Sequence, residues 1–218
     1  MSQPRMNIYG FPHKGLRNAI SQLCQSAGNT TCSDADSLGK LKEIGNEVFI
    51  LLQLHAHSEE TVVLPALEKK VPGSTTDNIE EHKQLEKEIE KLKEQLNSIS
   101  ADSPPDVMAS FYTHVANFHS NYLSHMAMEE SKMNQLIWAN FTDADLMGQH
   151  GQIMSTLKPE QIMMWFKYIV PALNHFERTI IMGGFKANAP APFVESVFSM
   201  LSGLLEKDEY NNLETALE

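Results

Sequence analysis

The chain has 218 residues, 42% hydrophobic and 21% charged, which are the proportions of an ordinary folded protein with a core of its own. Its formal net charge of −11 argues against nucleic acid or an anionic membrane as a partner, because both attract basic patches. No apolar run approaches the roughly 20 residues of a membrane span, and the N-terminus lacks a signal-peptide core, so we expect a cytoplasmic protein with Cys24 and Cys32 reduced.

Apolar residues recur at intervals of three and four through most of the chain, and this pattern predicts an all-α fold. A polar loop is expected at residues 28–37, with Asp34, Asp36 or Ser37 as helix N-caps. Pro65 lies inside the second predicted helix and should kink it. The first four predicted helices cover residues 12–27, about 38–70, 76–97 and 106–139.

The character of the chain changes after residue 141. Thr142 is placed to start one helix, and Pro159 to start another that continues to about Met182 and ends at Gly183 and Gly184. A second break at residues 189–192 precedes one or two short helices. We therefore expect residues 1–141 to carry the chemistry and residues 142–218 to form a helical extension packed on them.

One short pattern occurs twice, as His55-x-x-x-Glu59-Glu60 and as His125-x-x-x-Glu129-Glu130. An α-helix turns by about 100° per residue, so each His shares a helix face with the Glu four residues later. Both pairs lie in the middle of an apolar stripe, where ionisable groups are costly unless they have partners. Two such pairs on separate helices are how a helical bundle builds a metal site.

The first and third helices each add a histidine, His13 and His82, to an apolar face. Bound to divalent cations, imidazole and carboxylate groups escape the cost of burial. Four His and two Glu are too many for one tetrahedral ion, so we expect two ions, with Glu59 and Glu129 able to bridge them. The absence of thiolates from the set favours iron, with manganese or zinc as alternatives. Glu86, one turn beyond His82, is a further candidate ligand.

The order of these candidates resembles the hemerythrin-like (HHE cation-binding) domain over about residues 10–140: His13, His55-x-x-x-Glu59, Glu81-His82 and His125-x-x-x-Glu129. The resemblance implies an up-down four-helix bundle that holds two iron ions per chain. Oxo or hydroxo groups and the carboxylates of Glu59 and Glu129 would bridge the ions. His13 and His55 would then serve one iron, and His82 and His125 the other. Respiratory hemerythrins bind O₂ reversibly at an open iron position.

Two departures from the family pattern bear on function. Glu86 stands where the third helix of classical hemerythrins has a second His, and Glu129 follows His125 at four residues, where they have an Asp at five. A harder ligand set would favour ferric iron. Binding of O₂ or another small diatomic or peroxide ligand, iron or redox sensing, nitric-oxide-related stress chemistry, and oxidase or peroxidase-like turnover therefore all stay open. A metal-dependent interaction module is a further alternative.

Two more side chains on the fourth helix are candidates for a supporting role. His114 lies three turns before His125, on the same face of a straight helical wheel, and is expected to point inward. Tyr122, just before His125, could hydrogen-bond a bound small ligand or only pack.

Overall fold

The computed structural model describes residues 5–218. Within that range the regular elements are helices, without strands, which confirms the all-α prediction. None of the helices in this range has the length and apolar character needed to cross a membrane. The α-helices are α1 (Gly10–Asn29), α2 (Ala35–Ser58), α3 (Leu64–Lys70), α4 (Thr76–Ser98), α5 (Pro105–Met128), α6 (Asn134–Asn140), α7 (Asp143–Thr156), α8 (Pro159–Ala172), α9 (His175–Asn188), α10 (Ala191–Ser202) and α11 (Lys207–Ala216).

The first six α-helices make a four-helix bundle. Helix α1 packs against α2 and α5, and α4 also packs against α2 and α5, so the four form a closed ring. Helix α3 continues α2, and α6 continues α5, each through a π-helical turn. The N-cap of α2 is Asp34, one of the predicted candidates, and its side chain accepts hydrogen bonds from the backbone N–H groups of Asp36 and Ser37.

The buried positions of the bundle helices advance by alternating steps of three and four residues. These steps are typical of helices that supercoil around one another, because a period of 3.5 keeps the apolar seam facing the partner helices. The seam of α4 shows the pattern along its whole length: Asn78, His82, Leu85, Ile89, Leu92 and Leu96.

The two π-helical turns are Glu59–Val63 and Glu129–Met133. In each of them the backbone N–H after the turn, of Leu64 or Asn134, donates to the carbonyl of the first glutamate. The first turn ends at Val63, two residues before Pro65. The helix is therefore irregular near that proline, as expected, and the irregularity is a π turn. No proline lies within the second turn or next to it. What the two turns share is the glutamate at their start, and π turns are frequent at functional sites.

The buried histidines lie between two apolar clusters. The main core fills the bundle between α1, α2, α4 and α5. A smaller group, which we call the end cluster, lies at the end of the bundle where α1 and α4 begin, and helix α7 contributes Leu146 to it. The end cluster consists of Tyr9, Val63, Leu64, Leu67, Met133, Ile137 and Leu146.

Helix α8 joins the C-terminal helices to the bundle. On one side Tyr168 and Ile169 belong to the main core, and on the other Phe166 and Val170 belong to a separate cluster with α9, α10 and α11. The contact with α1 is close, since a Cβ built on Gly15 would lie 2.5 Å from Cγ1 of Ile169. The boundary near residue 141 remains a prediction.

The predicted single helix from Pro159 to Met182 is wrong. The chain leaves helical geometry at Leu173, and Asn174 caps a new helix by accepting a hydrogen bond from the backbone N–H of Glu177 at 3.0 Å. The Glu177 carboxylate accepts one in return from the backbone N–H of Asn174 at 3.1 Å. A capping box stabilises the start of a helix, so the chain begins a new helix here and does not continue the first one. Gly183 and Gly184 lie inside α9, which ends only at Asn188.

Candidate metal centre

Four histidines and two glutamates from all four positions of the bundle ring converge in its interior. They are nearly inaccessible to solvent, with exposed fractions between 0% and 6%. Each occupies a seam position, so the same helical repeat that builds the core carries these polar groups inward. The set is His13, His55, Glu59, His82, His125 and Glu129.

The six side chains form two groups that could each hold a cation. In each group one ligand atom per residue lies within 4.8 Å of all the others. One group contains His13 and His55 and the other contains His82 and His125, while Glu59 and Glu129 belong to both. The arrangement therefore has two imidazoles at each end and two shared carboxylates between them.

The imidazole Nε2 atoms face the shared carboxylates. His55 Nε2 lies 3.1 Å from Glu59 Oε1, and His82 Nε2 lies 3.2 Å from Glu59 Oε2. Glu129 Oε1 lies 3.0 Å from Nε2 of His125, and Glu129 Oε2 lies 3.3 Å from Nε2 of His13. Each glutamate thus faces one histidine from each pair, as a bridging carboxylate requires.

Several of these buried atoms have no hydrogen-bond partner among the described residues. They are both carboxylate oxygens of Glu59, Glu129 Oε2 and His125 Nε2. Buried polar atoms almost always find a partner, and a divalent cation coordinated by these atoms would supply one. Imidazole nitrogens and carboxylate oxygens without thiolates suit iron, manganese or zinc. The residues therefore fit a metal centre.

Three further glutamates hold the outer nitrogens of three histidines. His82 Nδ1 lies 3.2 Å from Glu60 Oε1 and His125 Nδ1 lies 2.9 Å from Glu81 Oε2. Glu130 is the third, and its Oε1 lies 2.9 Å from Nδ1 of His13. With Nδ1–H donating to a carboxylate, Nε2 is left as the ligand atom, and the ring is fixed in orientation.

These outer carboxylates are not among the ligands predicted from the sequence. Two signals pointed to them, the second glutamate of each H-x-x-x-E-E pattern and the glutamate directly before His82. Glu130 is also bound by Arg17, whose Nη1 lies 2.6 Å from Glu130 Oε1. The hydrogen bond from His13 and the contact with Arg17 lower the pKa of Glu130 to about 2, although burial raises it.

In the metal-free protein, the pKa values of the first pair of histidines are shifted in opposite directions. Burial lowers the pKa of His13, but contacts with Glu129 and Glu130 outweigh burial and raise it to about 9. Burial and the neighbouring charge of His13 lower the pKa of His55. His13 Nε2 lies 3.1 Å from Nε2 of His55, so these two facing nitrogens cannot both carry a proton.

The two shared carboxylates differ in protonation. Burial, followed by the charge of Glu129, raises the pKa of Glu59 to about 8. Burial also raises the pKa of Glu129, but contacts with His125, His13 and His82 outweigh it and hold that pKa well below its ordinary value. For His82, burial lowers the pKa and contacts with Glu129 and Glu59 raise it to about 10. A bound cation has to displace these protons.

Two predicted site residues lie away from the centre. Glu86 is exposed and is in neither group, because the seam of α4 passes through Leu85 and Ile89. His114 is also exposed and is hydrogen-bonded to the side chain of Gln95, so the expectation that it points inward is wrong. A straight helical wheel drifts relative to a seam built from alternating steps of three and four residues, so over several turns it assigns residues to the wrong face.

Two buried tyrosines border the centre. Tyr122 is 3% exposed, and its ring centroid lies 5.7 Å from that of His125, on the side of the main core. Tyr9 is 1% exposed, and its ring centroid lies 5.0 Å from that of His13, on the side of the end cluster. Tyr9, which precedes His13 by one step of four residues, is not among the residues predicted from the sequence.

The fold and the site together define a helical-bundle protein with a buried His and Glu cation site. The family model described as the hemerythrin HHE cation binding domain matches residues 11–137. This match covers more than half of the chain, which therefore belongs to that family and confirms the resemblance. No curated protein and no solved structure gave a significant match.

Proposed function

We propose that the chain binds two iron ions at this centre and, through them, O₂ or a related small ligand. The sharing of Glu59 and Glu129 by two groups of ligands is the observation that carries the proposal. Two separate ions without a bridge would need no shared carboxylates, and one tetrahedral ion would need fewer ligands.

The residues around the centre have distinct tasks in this proposal. His13 and His55 hold one ion, His82 and His125 hold the other, and the outer carboxylates keep three of the rings oriented with Nε2 inward. Bound iron supplies an open coordination position and one-electron redox chemistry. The apolar clusters on both sides exclude bulk water from the space between the helices.

The exposed position of Glu86 changes one expectation. The sequence predicts this residue as a candidate ligand that would harden one iron and favour its ferric state. Without Glu86, each ion has the same protein donors, two imidazoles and two shared carboxylates. The protein ligands then leave coordination positions free on both ions, since iron commonly takes more than four ligands. This symmetry supports binding of a small ligand at the centre.

A di-iron oxidase or peroxidase-like activity is the second candidate. Tyr9 favours it, because its buried hydroxyl has no hydrogen-bond partner among the described residues and its ring packs against the ring of His13. A hydrogen-bond donor near a bound oxygen species helps its protonation. A reversible spectral change of the reduced protein with O₂ would support carriage or sensing, whereas sustained consumption of O₂ or peroxide would support an enzyme.

Metal analysis of the purified protein, with an optical spectrum of the oxidised form, tests the proposal. We expect about two irons per chain and charge-transfer absorption. The Glu59→Ala variant should lose at least one ion, and Glu86→Ala, which removes an exposed carboxylate of the same bundle, should keep both. Wild-type protein without stoichiometric metal would overturn the proposal, and unchanged iron in Glu59→Ala would overturn the bridging role.

A further inference from the structure

Next to the candidate ligands, three buried side chains have polar atoms without a hydrogen-bond partner among the described residues. They are the hydroxyl of Tyr9, Oδ1 of Asn78 and Oδ1 of Asn134. The three residues are 1%, 1% and 3% exposed. Buried polar atoms are nearly always paired with protein or ordered water, so three unpaired atoms near one site call for an explanation.

The helical repeat places these residues in one layer, adjacent to the ligands. Tyr9 and Asn78 each precede a ligand histidine, His13 or His82, by one step of four residues along the buried seam. Asn134 follows the second π turn, and its backbone N–H donates to the carbonyl of Glu129. Since α1 and α4 begin where α3 and α6 lie, all three side chains are on the end-cluster side of the centre.

Direct contacts connect this layer to the centre. Asn78 Nδ2 donates to Glu129 Oε1 at 2.8 Å, which fixes the orientation of the amide because a carboxylate only accepts. The ring of Tyr9 lies against the ring of His13, tilted by 36°.

The layer on the other side of the ligands is different. There the seam residues of α5 are Phe118 and Tyr122, whose ring centroids are 5.5 Å apart, and α4 contributes Leu85. Among the described residues, the unpaired polar atoms beside the ligands are therefore all on the end-cluster side, and a ligand that needs hydrogen bonds would be held there.

We propose that Tyr9, Asn78 and Asn134 line a pocket for the small ligand, with the Tyr9 hydroxyl as its hydrogen-bond donor. Because Asn78 Oδ1 can only accept, the pocket suits a ligand that accepts one hydrogen bond and donates another, as water, hydroxide and hydroperoxide do. Tyr9 is thus a positioning residue for the ligand. The inference rests on the proposed function, because the ligand needs the metal centre.

Azide, a small anion that accepts hydrogen bonds, is the probe for this assignment. Iron-loaded wild type, Tyr9→Phe and the matched variant Tyr122→Phe would be titrated with azide and followed by charge-transfer absorption, after their iron content has been measured. A hydrogen bond to a charged ligand typically changes affinity by tenfold or more. We therefore expect azide to bind about ten times more weakly to Tyr9→Phe, and within about twofold of wild type to Tyr122→Phe.

Thermal unfolding of the metal-free variants separates ligand positioning from a structural role. Tyr9→Phe removes a buried hydroxyl that has no partner, so its melting temperature should equal or exceed that of wild type. Normal iron content with unchanged azide affinity in Tyr9→Phe would overturn the inference and leave the proposed function standing. A joint loss of iron, stability and azide binding would also overturn it, by showing a structural role. Iron-free wild type would refute both proposals, and the iron assay detects that case first.

Discussion

Glu59 and Glu129 occupy the same position in the repeated pattern, four residues after a histidine. Their surroundings nevertheless predict different results for their glutamine variants in the metal-free protein. Glu129 is ionised and faces three imidazoles, those of His13, His82 and His125. Glu59 has a pKa of about 8, because burial and the charge of Glu129 oppose its ionisation. At pH 7 Glu59 therefore carries a proton, and glutamine resembles its neutral form.

The expected magnitudes follow from this difference. Glu129→Gln leaves protonated imidazoles without their buried counter-charge, and breaking a buried ion pair costs about 3–5 kcal/mol. For a chain of this size, 1 kcal/mol shifts the melting temperature by about 2–4 °C, so the loss should be about 6–20 °C. Glu59→Gln replaces the protonated carboxyl with a neutral group of similar shape. Wild type has to bind a proton at Glu59 when it folds at pH 7 and the variant does not, so Glu59→Gln should melt at or above the wild-type temperature.

Thermal unfolding of chelator-treated protein, followed by circular dichroism at pH 7, measures both shifts, with Glu86→Gln as the surface control. A carboxyl group with a raised pKa contributes stability below its unfolded pKa that is lost as the pH rises through its folded pKa. Wild type should therefore lose stability from about pH 4.5 to about pH 8, whereas Glu59→Gln binds no proton there and should be the more stable of the two at pH 7. Equal losses for the two variants at pH 7 would refute the assigned protonation states.

Three other predictions follow. Metal binding at pH 7 should release several protons, because the raised pKa values of three histidines and of Glu59 all favour protonated forms, and calorimetry in buffers of different ionisation enthalpy should reveal them. Glu81→Gln should weaken metal affinity about 10- to 100-fold in competition with a chelator, and Glu86→Gln should not. Gly15→Ala should cost about 1–3 kcal/mol by crowding Ile169, whereas Gly39→Ala, with open space around it, should stabilise by up to about 1 kcal/mol in denaturant unfolding.

The fold and the inner ligands could be predicted because one physical pattern encodes both. A seam that repeats every 3.5 residues carries the core, and His and Glu side chains on that seam have to meet inside the bundle. The error at His114 came from replacing this seam with a straight helical wheel. Over the three turns from His125 back to His114 the two descriptions diverge, and Val115 is buried in place of His114.

The remaining features depend on geometry that spacing within one helix does not express. The outer carboxylates reach across a helix interface, so only the ring order of the bundle reveals which histidine each one contacts. The π turns add a residue to the helical repeat, which shifts the phase of every position after Glu59 and Glu129. Tyr9 lies outside the predicted first helix. Extending the seam of α1 backwards by one step would have found it.

The ring order also explains why the two ion positions should differ. Around the ring in the order α1, α2, α4 and α5, each outer carboxylate lies on the helical segment of the bundle just before the one that carries its histidine. Among the described residues, His55 has no such carboxylate. Its predecessor α1 has Pro12 and Lys14 beside the ligand, and no described carboxylate contacts His55 Nδ1. A carboxylate on Nδ1 makes the imidazole a stronger ligand, and His82 and His125 both have one. In the proposed two-ion centre, an ion held by His82 and His125 would therefore bind more tightly, and the position beside His13 and His55 would be the more exchangeable one.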